Sequence, residues 1–247
     1  MQGLVKKILA RQGFILRRKK IYSSIEYQVF KISKIHKTQL IIDGGSAKGD
    51  FAFGLINEGY NGRIVCVEPI KKTHEILKER FKLFNNISVF RKCALSNKNQ
   101  ITNMYIAKNP DSSSMFKPTI MHAKSEKSVI LSSKEKVETI TIEKLLLEIP
   151  DIKLCCKFGI KLDLQGMEYK VLSAISKKLW KNITFVALEA SIFKTYHGAK
   201  AYLEIINFML SKNFSLCGIH PGHSFESKGI LLQADFVFIK NSNKTNI

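Results

Sequence analysis

With 247 residues, 45% of them hydrophobic and 24% charged, the chain has enough apolar material for one globular core and a short appendage. Its 40 Lys and Arg against 20 Asp and Glu leave a net charge of +20, a field that attracts anions without choosing among phosphorylated substrates, acidic headgroups and nucleic acid. No run reaches the ~18 apolar residues of a membrane span, and five cysteines without a C-x-x-C spacing argue against a zinc ribbon and for reduced thiols in a cytoplasmic protein.

Residues 1–37 read as a basic helical extension. Leu4, Ile8 and Leu9 share one helical face, surrounded by Lys6, Lys7, Arg11 and the run Arg17 to Lys20. Such a helix lids a domain, and the same segment 1–20 is suited to weak contact with an anionic membrane surface, which would make the cytoplasmic protein peripheral at the inner membrane. From residue 38 the pattern becomes alternating. Leu40 to Asp43 is a buried strand, followed by a glycine-rich turn and a helix from Asp50. RIVCVEP is a second strand closing on Glu68, residues 71–84 are a helix, and ISVFRKCAL is a third strand. A β-α-β-α-β succession requires right-handed crossovers and gives a parallel sheet.

The middle is less regular. ITNMYIA alternates like an exposed strand, NPDSSSMFKP is a polar loop, and residues 122–135 form a Lys/Ser-rich hairpin or loop. VETITIEKLLLEI turns from strand to helix near Thr141. CKFGIKLDLQG is again a strand running into a turn at Asp163 to Gly166, with a helix over MEYKVLSAI. NITFVALEAS is a strand ending near Glu189, and residues 199–214 are an amphipathic helix. FSLCGI and LLQADFVFIK are two final strands that pair antiparallel. Residues 241–247 are a polar tail. The lysines are scattered and not interleaved with aromatics, so no specific nucleic-acid module is expected, and a Lys-rich proteome explains the charge equally well.

Ligands of parallel sheets bind at the C-terminal strand ends, and Asp43, Glu68, Asp163 and Glu189 all fall there. The first turn, Asp43-Gly44-Gly45-Ser46-Ala47-Lys48-Gly49, has a D-x-G-x-x-x-G spacing. A dinucleotide site would show G-x-G-x-x-G instead. S-adenosylmethionine (SAM) has no pyrophosphate, and an acid at this turn suits its positively charged amino-acid end. Glu68, closing the second strand, is placed to accept the two ribose hydroxyls.

These residues resemble the FkbM family of SAM-dependent methyltransferases. The resemblance covers roughly residues 38–240 and is carried by IIDGGSAKGDFA, VCVEP, the serines of NPDSSSMF, VETITIEKLL, IKLDLQGMEYKVL, VALEAS and LQADFVF. The family has Ala-Asn where this chain has Ser46-Ala47. The resemblance implies a Rossmann-like class I methyltransferase fold: a mostly parallel seven-stranded sheet, an antiparallel C-terminal hairpin and helices on both faces. It implies O-methylation of a sugar, glycolipid or related small-molecule acceptor. The cofactor SAM would be held by Asp43, Gly44, Gly45, Gly49 and Glu68, with Ala94 and Leu95 near the adenine.

Methyl transfer to an alcohol requires positioning and removal of a proton. Asp163 is the first choice for base or acceptor-orienting group, Gln165 for a hydroxyl hydrogen bond, and Glu189 for completing the acceptor site. An Asp163–Glu189 pair would also suit magnesium, but no metal ligand is assigned. Glu168 reads as a helix N-terminal acid, and His220 and His223 in H-P-G-H read as a plain turn. Two readings compete: an NAD-dependent oxidoreductase, disfavoured by the missing G-x-G-x-x-G, and a non-catalytic basic binding protein on the same fold.

Overall fold

The computed structural model describes Lys20, residues 23–152 and residues 156–241. The first helix, α1 (Ile25–His36), starts at Ser24, whose side chain accepts the Tyr27 N–H, and ends at Lys37 in a left-handed conformation. Val29 and Ile32 on its inner face are core residues. The end of the basic extension is therefore packed on the sheet. The Leu4/Ile8/Leu9 face lies outside the described residues, as do residues 242–247.

The alternating part forms β1 (Leu40–Gly44), α2 (Asp50–Asn57), β2 (Arg63–Val67), α3 (Lys71–Phe81) and β3 (Ile87–Val89). The expected third strand breaks there. Its second half, β4 (Ala94–Leu95), leaves the main sheet and joins β5 (Gln100–Ala107) and β6 (Leu131–Ile140) in a separate three-stranded sheet of order β4-β6-β5. Between β5 and β6 the chain makes a short helix, α4 (Ile120–Ser125), which the Lys/Ser content of this stretch conceals.

After α5 (Ile142–Glu148), capped by Thr141, the chain returns through β7 (Phe158–Leu162), α6 (Glu168–Ser173), β8 (Ile183–Ser191) and α7 (Tyr202–Ser211). It finishes with β9 (Phe214–Pro221), the small hairpin β10 (Ser224–Phe225) and β11 (Ile230–Leu231), and β12 (Gln233–Lys240). The seven-stranded order is β3-β2-β1-β7-β8-β12-β9, with β12 antiparallel to both neighbours. This is the expected class I arrangement: a mostly parallel sheet with an antiparallel C-terminal pair.

Strands covered on both faces are apolar at consecutive positions, and two cores result. Leu40, Ile42, Val65 and Ile160 pack under α5, α6 and α7, through residues such as Leu145, Leu172 and Met209. Ile41, Ile64, Phe185 and Val237 pack under α1, α2 and α3, through Val29, Leu55 and Leu77. Among the described residues no helix is long and apolar enough to cross a membrane.

Candidate active site

The connections leaving β1 run to β2 on one side, while β7 arrives on the other. The crevice at this reversal is where open α/β sheets bind ligands. The turns after β1 and β7 meet there: Asp163 N–H donates to the Gly44 carbonyl at 3.0 Å. Above them opens a cavity lined by residues of both turns.

One side of the cavity is the β1 turn. Gly45 has φ +71°, and a Cβ there would stand 1.9 Å from the Asp163 carbonyl oxygen, so only glycine fits. Gly45 and Ala47 both line the cavity. Gly44 and Gly49 do not line it. A Cβ on Gly49 would collide with the Phe81 ring at 2.2 Å, so this glycine lets α2 approach α3. Ala47 has φ 46°, a left-handed value that costs an L-residue with a Cβ roughly 1–2 kcal/mol. Its N–H donates to Glu68 Oε2 at 3.1 Å, and the Ile70 N–H donates to Glu68 Oε1 at 2.8 Å. Glu68 is thereby fixed at the rim with its remaining lone pairs free to take hydroxyls. Burial raises its pKa to about 7, against the stabilising pull of those two N–H groups.

Ala94 and Leu95 line the cavity with apolar surface. Met104 and Met115, contributed by β5 and the loop after it, extend that surface. Sequence reasoning missed these two because they lie on β5 and in the loop between β5 and β6, whose packing against the Rossmann rim is a tertiary event.

Asp43 is placed differently from the expectation that it meets the donor directly. It is fully buried, does not line the cavity, and faces Lys161 across the β1–β7 register. Lys161 Nζ is 3.6 Å from Asp43 Oδ1 and 3.8 Å from Asp163 Oδ2, so one ammonium ties the two acids to the same sheet edge. Neither Asp43 oxygen has a hydrogen-bond partner among the described residues. Burial raises the Asp43 pKa and the Lys161 charge opposes that rise. Burial alone would lower the Lys161 pKa, but Asp43, Asp163, Asp235 and Glu189 together raise it, and it stays charged. A lone Lys within an apolar strand was the available signal for this residue.

The third side is a carboxylate and amide network. Asp163 and Gln165 line the cavity. Gln165 has φ 53°, and its Nε2 donates to Asp163 Oδ1 at 2.7 Å and lies 3.4 Å from Glu189 Oε2. Its Oε1 is 2.8 Å from the Tyr196 hydroxyl, which also lies 2.9 Å from the Ser112 carbonyl. Since a phenol donates and the amide NH₂ faces carboxylates, the Gln165 amide has one orientation. Ser114 donates its hydroxyl to the Gln165 carbonyl at 2.7 Å, and Ser113 lines the cavity, so the serine loop does reach the site.

Glu189 sits behind Gln165, outside the cavity lining, where it accepts a hydrogen bond from Gln233 Nε2. Burial, with Asp163 and Asp235 beside it, pushes its pKa well up. Glu168 is buried and holds the β7 turn, accepting Leu164 N–H at 2.7 Å and Gly166 N–H at 3.3 Å. Burial raises it to about 7. The structure thus brings together Gly45, Glu68, Ala94, Leu95, Asp163 and Gln165 around one cavity and sets Asp43, Gly44, Gly49 and Glu189 behind it.

The family model described as "Methyltransferase FkbM domain" matches residues 43–216, well over half of the chain. The chain belongs to the FkbM methyltransferase family. As a member of that family it is an enzyme, a methyltransferase whose methyl donor is SAM. The family match spans β1 to β9 and so includes every residue of the cavity described above. No curated protein matches this FkbM methyltransferase in sequence. Among solved structures, it is similar to an O-methyltransferase from Bacillus cereus in complex with SAH, with 11% identity, 96% of this chain and 90% of that one covered and a TM-score of 0.48. It is also similar to precorrin-6y C5,15-methyltransferase from Geobacter metallireducens, with 12% identity, 92% and 94% coverage and a TM-score of 0.45.

The cavity fits the family's cofactor on its own chemistry. It has a glycine where no side chain can stand, a carboxylate pinned at the rim for hydroxyl groups, and an apolar wall for a flat ring.

Proposed function

We propose that this FkbM methyltransferase methylates a hydroxyl oxygen of a sugar, glycolipid or related small acceptor. The observation that carries this reading is the position of Asp163 and Gln165, which line the same cavity as Glu68 and Gly45 and are already oriented by hydrogen bonds. When bound, SAM supplies a methyl group on a positively charged sulfur, already activated for displacement. Gly45, Glu68, Ala94 and Leu95 hold the donor, and Asp43 supports them through Lys161.

Asp163 takes the proton that the acceptor hydroxyl must lose, a general-base role worth typically 10²–10⁴-fold. Gln165 presents Asp163 in one orientation, and Tyr196 fixes Gln165. Glu189 and Asp235 form an acidic background behind them. Burial and Asp163 raise Asp235 to about 6. The wall of Met104, Met115 and Leu164 excludes water from the reacting oxygen.

Incubation with labelled SAM and a panel of glycan and glycolipid precursors tests the reading, with mass spectrometry reporting the gain of one methylene, about 14 Da. The expected result is methyl transfer to a hydroxyl acceptor, with Asp163→Asn abolishing turnover while SAM still binds. Methylation of nitrogen or carbon acceptors alone, or full activity in Asp163→Asn, would refute it. The segment 1–20 remains a candidate for weak contact with anionic membranes, motivated by its seven Lys and Arg residues. Sedimentation with anionic vesicles, with and without those residues, checks that part.

A further inference from the structure

Away from the cavity, three side chains that methyl transfer does not use converge between the β5–β6 insertion and the C-terminal hairpin. His122 lies on α4, Glu126 closes that helix one turn later, and His223 lies in the turn between β9 and β10. One ligand atom from each falls within 4.8 Å of the other two. None of the three lines the cavity.

The hydrogen bonds around them set how the His223 ring is turned. The Ser125 hydroxyl donates to the His122 carbonyl at 2.8 Å, which uses its single proton. It must therefore accept from His223 Nε2, 3.0 Å away. His223 Nε2 thus points at Ser125, and Nδ1 is the ring nitrogen turned toward Glu126. This Nδ1 lies 3.6 Å from Glu126 Oε2. A ring nitrogen and a carboxylate oxygen at that distance are held together by a positive charge between them, a proton on Nδ1 or a metal ion. His122 is 2% exposed, and its Nδ1 is buried without a hydrogen-bond partner among the described residues. A buried, unpartnered imidazole nitrogen calls for an explanation in the same terms.

We propose that His122, Glu126 and His223 bind one divalent transition ion of the zinc type, with water completing a four-coordinate shell. Two imidazoles and one carboxylate are a ligand set zinc accepts, at bonds of ~2.0–2.2 Å. Such bonds place ligand atoms ~3.3–3.6 Å apart, so the cluster closes by about 1 Å on binding. Ser125 is the outer partner that orients His223, as metal-bound histidines require.

The ion would clamp the inserted segment to the hairpin turn. Its effect reaches the cavity through two contacts. The His122 ring meets the Tyr196 ring edge-on with centroids 5.0 Å apart, and Tyr196 holds Gln165. On the other side, the His223 carbonyl accepts the N–H groups of Leu232 and Gln233, and Gln233 holds Glu189. The role is positional, and the site stands whether or not the acceptor is a sugar.

The full chain, stripped with chelator, is titrated with zinc chloride by calorimetry and with cobalt chloride by visible absorption. One zinc per chain is expected, with a rise in melting temperature at saturation. Cobalt should give tetrahedral d–d bands without a thiolate charge-transfer band. Glu126→Gln and His223→Gln, at partly exposed positions, should each weaken zinc by about tenfold or more while leaving the far-UV circular dichroism unchanged. Absence of stoichiometric zinc binding would overturn the proposal and leave His223 and Glu126 as an ordinary ion pair. So would unchanged affinity in both variants, or a thiolate band that puts the ion on cysteines.

Discussion

Replacing Lys161 by Met separates the charge of this residue from its volume. The side chains are of similar length, so packing loss is small, and the change falls on Asp43, which keeps a fully buried carboxylate with no hydrogen-bond partner among the described residues. Removing one member of a buried ion pair costs about 3–5 kcal/mol, because the charge left behind is uncompensated. For a domain of this size 1 kcal/mol moves the melting temperature by about 2–4 °C, so Lys161→Met should melt roughly 6–20 °C lower. Adding Asp43→Asn removes the stranded charge, and the double variant should recover most of the loss. Asp43 in the single variant is an acid with a raised pKa, so the deficit should grow as pH rises. Thermal melts by circular dichroism for wild type, single and double variants measure all three. A single variant within about 2 °C of wild type, or a double variant no more stable than the single, would refute the claim that Lys161 balances Asp43.

Gly45→Ala sets a Cβ 1.9 Å from a backbone oxygen at φ +71°, and no flexible side chain can yield. It should lower stability and abolish binding of the demethylated cofactor in calorimetry, whereas Ser46→Ala should leave a folded binding protein. Ala47→Asn restores a residue tolerant of the left-handed conformation at φ 46° and should raise stability by about 1 kcal/mol, seen as a melting shift of about 2–4 °C. Tyr196→Phe removes the 2.8 Å contact to Gln165. Turnover should fall about tenfold or more while donor affinity holds, and equal loss in both would show that Tyr196 acts on the fold instead. Glu68 and Glu168, both raised to about 7 by burial, hold a proton in the folded state at pH values where the unfolded chain has lost it. Their contribution is therefore fully present below the unfolded value and is lost as pH rises from about 4.5 to about 7. Glu68→Gln and Glu168→Gln should each flatten the fall in melting temperature across that window. A steeper fall in either variant would reverse the sign of the reasoning.

Much of the frame was legible from pattern alone. Consecutive apolar residues at Leu40 to Ile42 and at Phe185 to Leu188 mark strands buried on both faces, and the spacing of turns and helices between them forces the parallel order. The position of a polar residue just past a strand is also a local fact, and Glu68, Asp163 and Gln165 are legible from it. Gly45 was legible because a turn so tight tolerates no Cβ.

What the sequence could not carry was the direction of side chains that depend on a neighbour far along the chain. Asp43 lies inside β1 and turns into the sheet beside Lys161 of β7, while Gln165, in the turn after β7, meets the cavity where Tyr196 reaches it from beyond β8. The break of the third strand and the placing of Met104 follow from pairing of β4 and β5 with β6, as in Ala94 with Thr139 and Ala107 with Leu131. His223 looked like part of a polar turn, and only the packing of α4 against that turn sets it beside His122 and Glu126. Periodicity records how each segment meets solvent and core, and so it determines the elements and their order. Electrostatic partnership between strands depends on register and crossover, which exist only once the sheet is assembled.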